Sequence, residues 1–508
     1  MDTRWNYDLY IDGQWTAAGQ RKTISVINPA TEEPIGQVPE ATVEDARSAI
    51  AAARRAFDEG PWPFMKPAER GARLKKMAEI LDARHAHLRE LIVAETGCAG
   101  MMVDAVQCGG AIGIGHFNAE QAQGLVHWIE SSPPTGGPGG VAGSAVVREP
   151  VGVVAAITPF NFPFMLNMVK VMPALAVGCS VVLKPHPWTP LDAFEIARAA
   201  AEADIPPGVL NVITGHGDVG DELSGHPEVD MVTFTGSTAT GRRIMSRAGE
   251  QIKRVQLELG GKSANIILDD VPEQVIRGLG YGAMLTHCGQ GCALQTRLLI
   301  PEAHLETYLE GAREITPSIK VGDPTDPQTV MGPLIRERQR ERVEEYVASG
   351  IEQGAELITG GKRPAGLDKG FFFEPTIFVG RNDMRIAQEE IFGPVLTVIP
   401  YSGRDEDAVR IANDSIYGLA GGVMAARSGR AFDVARRIRT GKIDAIGVDG
   451  LQPGGESPGN GQGPGWGEPI LGIAQSGAFG GFKQSGIGRE WGRHGLEDFT
   501  EVKSISWR

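Results

Sequence analysis

The segment LTHCGQGCALQTRLLIP, residues 285–301, places two cysteines four positions apart around a Gly-Gln-Gly turn. Cys288 and Cys292 could hold a metal, form a disulfide, pack in a core or supply a nucleophile. A tetrahedral zinc site needs four ligands, and beyond His287 the chain offers no matching second pair of cysteines or histidines. We therefore predict no metal site, and these residues alone do not decide between packing and a nucleophile.

The cysteines are five in number, and no export signal opens the chain. Few cysteines in odd number are typical of reduced thiols in a cytosolic protein, which argues against a disulfide. Either cysteine could be inert, because free cysteines are often buried. We expect a cytoplasmic protein.

A second candidate for chemistry is Glu258, within the apolar run VQLELGGKSANIIL. Burial of a carboxylate raises its pKa, and a raised pKa suits a general base that works near neutral pH. An ordinary ion pair with Lys262 or Arg254 explains the same residue equally well. The sequence around Glu258 alone leaves both interpretations open.

Three stretches could bind a nucleotide. MVTFTGSTATGRR is typical of a strand, a turn of small residues and a helix start, where free backbone N–H groups can hold a phosphate. An N-cap role for Ser237 or Thr238 explains the same pattern. GHGDVG, residues 215–220, matches GxGxxG without a clear dinucleotide-binding unit around it. Lys184 ends the strand SVVLK, where ligands of open α/β sheets bind.

The formal net charge of −14 disfavours nucleic acid and anionic membranes as partners. The longest apolar stretch, residues 151–169, is interrupted by Pro159, Asn161, Pro163 and Asn167. These interruptions suit a buried strand, loop and helix better than a lipid-facing helix. We expect a soluble protein.

The elements around these residues follow an α/β pattern. Apolar residues recur every three or four positions between residues 43 and 95, which indicates helices. From residue 151, runs rich in Val, Ile and Leu alternate with helical segments, which predicts parallel βαβ units. A second alternating block begins near SANIILDD. Two segments rich in Gly and Pro, residues 131–145 and 450–467, are predicted to be loops.

Six motifs, in order and spacing, resemble the signature set of the aldehyde dehydrogenase superfamily: TPFNFP, FTGSTATG, ELGGKS, GQGC, EEIFGPV and FGGFKQSGIGRE. The resemblance runs from LYIDGQW near the start to EVKSIS near the end. Each motif is modest alone, and the set in register is specific. The resemblance identifies Cys292 as the nucleophile and Cys288 as a bystander.

The resemblance implies an NAD(P)-dependent, non-acylating enzyme that oxidises an aldehyde through a thiohemiacetal and a thioester on Cys292. Asn161 and the Cys292 backbone N–H would stabilise the oxyanion, and Glu258 would activate the hydrolytic water. Glu490 matches a glutamate proposed as a proton relay, although a structural ion pair explains it equally well. Lys170 is expected in the same pocket.

The resemblance also assigns the cofactor, NAD with NADP as an alternative. The matching cofactor-binding residues are Thr158, Phe160, Lys184, Gly217, Gly236, Ser237, Gly241, Leu259, Glu390 and Phe392. Many NAD-preferring relatives carry Glu three residues after the lysine, where this chain has Pro187. The choice between NAD and NADP therefore stays open.

Positions that line the substrate tunnel of the family are here mostly apolar: Leu166, Val169, Gly291, Ala293 and Phe479. They favour a medium or bulky hydrophobic aldehyde over a charged semialdehyde. The family usually has Asn where Gly447 stands, and the glycine-rich segment that follows is about twenty residues longer than is common. The alternatives are a CoA-acylating dehydrogenase, which generally lacks the base at Glu258, and a binding or structural homologue without turnover.

The expected architecture is a Rossmann-like parallel-sheet nucleotide domain, an α/β catalytic domain and a small β arm. The corresponding ranges are residues 1–127 with 151–262, residues 263–485, and residues 128–150 with 486–508. Exposed strand edges on the arm call for a partner, so we expect a homodimer or homotetramer.

Overall fold

The computed structural model describes residues 3–124, 128–137, 140–450 and 477–507. The glycine-rich segment 450–467 therefore lies outside the described residues from residue 451 onward. None of the helices in these ranges is long and apolar enough to cross a membrane.

The strands are, in chain order, β1 Trp5–Asn6, β2 Leu9–Ile11, β3 Gln14–Thr16, β4 Thr23–Ile27, β5 Pro34–Pro39, β6 Ile129–Gly137, β7 Gly140–Pro150, β8 Val153–Ile157, β9 Ser180–Lys184, β10 Leu210–Val212, β11 Met231–Thr235, β12 Arg254–Glu258, β13 Ala264–Ile267, β14 Arg297–Pro301, β15 Glu356–Thr359, β16 Thr376–Val379, β17 Val395–Tyr401, β18 Gly421–Ala425, β19 Asp444–Gly447, β20 Gly486–Ile487 and β21 Thr500–Trp507.

The α-helices are α1 Val43–Asp58, α2 Pro67–Ala83, α3 His85–Thr96, α4 Gly100–Met102, α5 Ala111–Gly124, α6 Pro163–Val177, α7 Leu191–Glu202, α8 Gly217–Gly225, α9 Thr238–Gly249, α10 Glu273–Ile276, α11 Gly282–Leu285, α12 Leu305–Ile315, α13 Glu337–Glu352, α14 Arg385–Gln388, α15 Asp405–Asn413, α16 Ser428–Ala435 and α17 Gly492–Asp498. A π-helical turn, Val103–Gly110, joins α4 to α5.

The first large sheet has the order β20-β12-β11-β8-β9-β10-β2-β3 within the described residues. Its strands from β12 to β10 are parallel. Strands β8, β9 and β11 are buried along their whole length, which explains why their sequences are continuous apolar runs. The chain adds β9 and β10 on one side of β8 and then returns to add β11 on the other side. The sheet therefore has a topological switch point between β8 and β11, where ligands of such folds bind.

The second large sheet has the order β15-β16-β17-β14-β13-β18-β19, and only β15 is antiparallel to its neighbour among these strands. The α/β fold expected from the sequence, with two parallel sheets built in consecutive blocks, is confirmed. Strand β20 pairs with β12 at the edge of the first sheet, whereas the division drawn from the sequence placed its residues with the arm.

A third sheet has the order β21-β7-β6 and is antiparallel. The prediction of a loop over residues 131–145 was wrong, because β6 and β7 occupy the described part of that range. Proline is tolerated at an edge strand or a bulge, and the pairing of β6 with β7 shifts register between Ser132 and Thr135, around two prolines.

Candidate active site

Two adjoining cavities open at the switch point of the first sheet. The first has a volume of about 440 Å³ and lies between the residues after β8, the end of β9 and the starts of α8 and α9. The second, about 510 Å³, is lined by Cys292, Asn161, Glu390 and Phe392. Five residues line both cavities: Pro159, Phe160, Thr235, Gly236 and Ser237. Together the cavities form one groove that ends at the cysteine.

The start of α9 forms the floor between the two cavities. Ser237 is the N-cap, and its hydroxyl accepts a hydrogen bond from the backbone N–H of Thr240 at 3.2 Å. A side chain at Gly241 would overlap Leu259, so glycine lets this helix pack closely on the end of β12. The remaining N–H groups of the first turn and the positive end of the helix dipole are available to an anion.

Lys184 lies at the end of β9 and lines the first cavity, while only 5% of its surface is exposed. Burial lowers the pKa of its amine to about 8, and the charge of Asp218 partly opposes this effect. Gly217, at the start of α8, lines the same cavity, as does Thr158 after β8. The structure thus brings Thr158, Lys184 and Gly217, which are distant in the sequence, into one cavity.

The segment that carries Cys292 is held by its neighbour Gln290. The side-chain amide of Asn161 donates to the backbone oxygen of Gln290 at 2.8 Å, and the Gln290 side chain accepts from the backbone N–H of Ile335 at 3.0 Å. A side chain at Gly261 would overlap the backbone oxygen of Cys292. Close backbone approach therefore explains the second glycine of ELGGKS.

Three successive residues with left-handed backbone precede this segment. The φ angles of His287, Cys288 and Gly289 are 45°, 54° and 71°. A Cβ at position 289 would overlap the backbone of Gly393, so glycine is required there. His287 and Cys288 are buried, and the His287 ring packs edge-on against Phe162 at 5.5 Å between centroids. Cys288 points into a core cluster, as expected of a bystander.

Cys292 is half-buried, and the other four cysteines of the chain are fully buried. Burial raises the pKa of its thiol, and the carboxylates of Glu390, Glu258 and Glu490 raise it further. Its own backbone N–H favours the thiolate and opposes these effects in part. The resting thiol is therefore protonated at neutral pH, and its activation needs a proton acceptor.

Glu258 ends β12 and pairs with Thr235 of β11 in the parallel ladder. Its side chain is 1% exposed, and neither carboxylate oxygen has a hydrogen-bond donor within the described ranges that meets ordinary geometry. Burial raises its pKa well above the usual range, and the charge of Glu490 adds to this. A buried carboxyl without a fixed partner can hold a proton near neutral pH and release it.

Glu490, unlike Glu258, has an ion-pair partner. Its carboxylate accepts a hydrogen bond from Lys170 Nζ at 2.6 Å, and both side chains are buried. Lys170 also donates to the hydroxyl of Thr233 at 3.0 Å, which in turn donates to Gln256 at 2.6 Å. The ion pair that the sequence left as one alternative for Glu490 is present.

Glu390 and Phe392 are held in place by contacts that the sequence analysis missed. Glu390 accepts from the backbone N–H of Gly261 at 3.0 Å, and burial raises its pKa to about 7. From α13, Arg342 donates to the backbone oxygen of Glu390 at 2.6 Å, and Gln339 donates to that of Phe392 at 2.7 Å. Phe392 adopts a left-handed φ of 62° there. Of the two, only Gln339 is buried, and that polar residue on the apolar face of α13 was the available signal.

A cluster of aromatic rings at the junction of the two cavities was also missed. The ring of Phe160 lies 5.0 Å from Trp188, 5.2 Å from His186 and 5.6 Å from Phe392, measured between centroids. These rings pack the loop after β8 against the loop after β9 and the segment before β17. Tilted and edge-to-face pairs of this kind stabilise by about 1 kcal/mol each.

Residues expected to line a substrate tunnel divide into two groups. Val169 and Phe479 are buried, and Phe479 packs on Trp491 with 4.5 Å between ring centroids. Leu166, Gly291 and Ala293 are half-buried near the nucleophile. Among the described residues, no group of three or more His, Cys, Asp or Glu side chains could hold a metal ion.

Comparison with known proteins bears directly on this geometry. The sequence model of the Aldehyde dehydrogenase family matches residues 15–453 and 467–505. The 3-succinoylsemialdehyde-pyridine dehydrogenase of a Pseudomonas species is 40% identical over 98% of this chain and 98% of its own length. This chain belongs to the aldehyde dehydrogenase family.

Solved structures of other aldehyde dehydrogenases have the same fold. The Mycobacterium tuberculosis enzyme in complex with NAD+ is 42% identical, with a TM-score of 0.90, 99% of this chain covered and 98% of the other. A mutant of aldehyde dehydrogenase C from Pseudomonas syringae, in complex with NAD+ and octanal, is 36% identical, with a TM-score of 0.88 and the same coverage of both chains. The aldehyde dehydrogenase fold expected from the motifs is confirmed.

The groove fits a dinucleotide. Lys184 is a buried amine that meets no acceptor among the described side chains, and the first turn of α9 has free N–H groups beside it. Glu390 lies in the second cavity, where a carboxylate can accept from a ribose hydroxyl. Each half of the groove therefore offers polar groups that match a nucleotide.

Proposed function

We propose that this aldehyde dehydrogenase oxidises a hydrophobic aldehyde to the carboxylic acid with NAD+, through a covalent intermediate on Cys292. The observation that supports the proposal most is that Cys292, Asn161 and Glu390 line one cavity, which continues into the cavity of Lys184. Asn161 and Lys184 come from the carboxyl ends of β8 and β9 in the first sheet, and Cys292 and Glu390 come from the segments before β14 and β17 in the second sheet.

Cys292 is the nucleophile of the proposed reaction. Its Sγ attacks the aldehyde carbon once its proton has been taken up, and the carbonyl oxygen becomes an oxyanion. The amide of Asn161 and the backbone N–H of Cys292 are the donors for this oxyanion. Because Asn161 bonds to Gln290 in the resting structure, its amide is already directed toward the nucleophile segment. One such donor lowers the barrier by about 3 kcal/mol.

Glu258 is the base. Its raised pKa suits it to accept the proton of Cys292, pass that proton to solvent, and then accept the proton of the water that hydrolyses the thioester. Gly260 and Gly261 follow one residue later, and neither carboxylate oxygen has a well-placed donor in the described chain, so the side chain can serve both steps.

The dinucleotide is proposed to lie along the groove. When bound, NAD+ supplies the hydride acceptor. Lys184 and Gly217 would contact the adenosine half, and the turn of Gly236 and Ser237 would hold the pyrophosphate beside Gly241 and Leu259. Thr158 and Phe160 would line the approach to the nicotinamide. Glu390 and Phe392 would hold the nicotinamide ribose near Cys292. Pro187 lines the first cavity and carries no charge to repel a 2′-phosphate, so NADP+ is the alternative cofactor.

A hydrophobic substrate is proposed from the apolar positions that match the family's tunnel. Among them Val169 and Phe479 are buried, and Phe479 packs on Trp491. The Pseudomonas syringae relative was crystallised with octanal. For the assembly, we propose a homodimer or homotetramer that forms through the sheet of β21, β7 and β6. Exposed apolar side chains on that sheet support this: Ile129, Val141, Val502, Ile505 and Trp507.

The test is the formation of reduced nicotinamide with octanal, an aromatic aldehyde and a carboxylated semialdehyde, each with NAD+ and with NADP+. Cys292→Ala should abolish turnover, whereas Cys288→Ala, a matched change at a fully buried cysteine, should retain it. We expect kcat/KM to be higher for octanal than for the semialdehyde.

Other outcomes would contradict particular parts of the proposal. Turnover that requires CoA and yields an acyl-CoA would show that CoA, and not water activated by Glu258, resolves the thioester. No turnover with any aldehyde, while iodoacetamide still labels Cys292, would favour a homologue that has lost its activity.

A further inference from the structure

Two buried carboxylates lie outside the site described above. Glu95 is near the end of α3, and Asp192 is in the first turn of α7. Neither side chain is exposed beyond 1% of its surface. Two ionised carboxylates in contact inside a core would repel each other strongly, so this arrangement needs an explanation.

The hydrogen bonds around the pair leave two particular atoms without donors. Glu95 Oε2 accepts from the backbone N–H of Leu191 at 2.8 Å, and Asp192 Oδ1 accepts from the side-chain amide of Asn167 at 2.7 Å. Glu95 Oε1 and Asp192 Oδ2 are buried and meet no donor in the described chain. Because Glu95 is bonded to the backbone of Leu191, the residue before Asp192, the two buried carboxyl groups are neighbours. One proton between these two atoms would satisfy both.

The surroundings favour a proton over a nearby cation. The titratable side chains that the pair's charge influences are Cys108, on the π-helical turn, and Tyr7, before β2. No lysine or arginine in the described ranges offsets the charge of Asp192. Burial raises the pKa of Glu95 well above its usual range and that of Asp192 to about 7.

The pair is linked to the groove through Asn167 of α6. Because Asp192 accepts from the Asn167 amide nitrogen, the amide oxygen faces the other way and accepts from the hydroxyl of Thr158 at 2.7 Å. Thr158 begins the loop that carries Phe160 and Asn161. The same loop is bonded to the residues before α7, since the hydroxyl of Thr189 donates to the backbone oxygen of Phe160 at 3.3 Å.

We propose that Glu95 and Asp192 share one proton between Glu95 Oε1 and Asp192 Oδ2, and that this pair, through Asn167, positions the loop of residues 158–161. Asp192 and Glu95 are positioning residues and touch neither substrate nor cofactor. The positioning role rests on the proposed function, whereas the shared proton does not.

The shared proton is tested by thermal unfolding between pH 5 and pH 9, without substrate. The folded pair binds its proton more tightly than the unfolded chain does, so its contribution to stability is lost as pH rises from the ordinary carboxyl range through about 7. Glu95→Gln puts a permanent N–H donor where the shared proton lies. The Tm of wild type should therefore fall more steeply with pH than that of E95Q.

Glu202→Gln is the matched control, because Glu202 is an exposed carboxylate on α7, the helix that carries Asp192. Its Tm should follow that of wild type across the pH range. Equal slopes for wild type and E95Q would overturn the shared proton. Should E95Q fail to fold, the infrared carbonyl band of a protonated carboxyl is compared between wild type and Asp192→Asn, because Glu258 and Glu390 contribute equally to both. A band at pH 5 that is present in wild type and absent from Asp192→Asn supports the shared proton, and equal bands overturn the proposal.

A monovalent cation between the carboxylates is the competing outcome. Addition of KCl, with choline chloride at equal ionic strength as control, should leave the Tm difference between wild type and E95Q unchanged. A rise in the Tm of wild type that is specific to potassium would replace the proton by a cation and contradict the proposal.

The positioning role is tested by steady-state kinetics. Asp192→Ala frees the Asn167 amide and should raise the KM for NAD+ about tenfold. Asp192→Asn can still accept from Asn167 and donate to Glu95, so it should restore most of the affinity. A purely structural role would lower the active fraction and leave KM unchanged, and that result would refute the positioning. Absence of aldehyde oxidation in wild type would refute the proposed function and leave the Tm and infrared tests intact.

Discussion

Glu258 and Glu490 are both buried at the carboxyl end of the first sheet, and their surroundings differ in one respect. Glu490 is neutralised by Lys170 at 2.6 Å within a network that includes Thr233 and Gln256. Glu258 has no such partner, and its carboxylate oxygens meet no well-placed donor in the described chain. Burial raises the pKa of Glu258 well above its usual range.

This difference shows that a partner, rather than depth, separates a structural carboxylate from a reactive one. A paired carboxylate keeps its charge and its position, because both oxygens and the opposing cation stabilise the ionised form. An unpaired one exchanges protons near neutral pH and is free to move. The hydrogen bonds around Lys170 therefore hold Glu490 in place, whereas Glu258 is placed where it can transfer a proton.

The largest effect is expected from Glu258→Gln, which removes the unpaired base. Steady-state turnover should fall about a thousandfold, because a general base contributes on that scale. Because the same carboxylate also takes the proton of Cys292 in the proposed reaction, the burst of reduced nicotinamide should be slowed as well. A burst of unchanged rate, close to one equivalent, would restrict Glu258 to the hydrolysis step. Stopped-flow absorbance measures both.

The same variant should change stability in a direction set by linkage. A carboxyl whose pKa is raised on folding costs stability as pH rises from its unfolded value toward its folded value. Glu258→Gln should therefore raise the Tm at pH 8 and change it little at pH 5. A Tm that falls at pH 8 would mean that Glu258 has a stabilising partner after all.

A smaller effect, this time on stability, is expected from Glu490→Gln. It leaves the Lys170 ammonium buried without its counter-charge, which should cost about 3 kcal/mol in free energy of unfolding. Urea titration measures this. Combining it with Lys170→Met removes both charges, and the double variant should be more stable than Glu490→Gln alone. Additive losses would show that the two side chains do not interact.

The smallest effect concerns the pH profile of kcat. Glu490 raises the pKa of Glu258, and Lys170 lowers it. The rise of kcat with pH should therefore move to lower pH in Glu490→Gln and to higher pH in Lys170→Met. Shifts in the same direction, or no shift, would show that Glu258 does not take part in the rate-limiting proton transfer.

The sequence predicted the parts of the molecule that local pattern controls. Strands such as Val153–Ile157 and Met231–Thr235 are continuous apolar runs flanked by helices, so the parallel sheet followed from periodicity. Cys292 was found from motifs in register. Composition predicted a loop over residues 131–145, and only the resemblance implied a β arm there. Pairing in an edge sheet overrides that composition in the strands Ile129–Gly137 and Gly140–Pro150.

The rest of the site depends on contacts between distant residues. Lys170 and Glu490 are 320 positions apart, so their ion pair could not be chosen over a proton relay from the sequence. Gln339 and Arg342 act on the backbone at Ile391 and its neighbours, which no side-chain motif reports. The roles of the cofactor residues remain predictions.

The left-handed turn before the nucleophile restricts how this region can vary. Valine, isoleucine and threonine are strongly disfavoured at φ near 50°, while asparagine and glycine are tolerated. The left-handed backbone therefore restricts which residues positions 287 and 288 can accept, whatever their side chains contact. Position 289 accepts only glycine. Natural or engineered variants of this enzyme should change more readily at position 293, on the far side of Gln290, than in the turn.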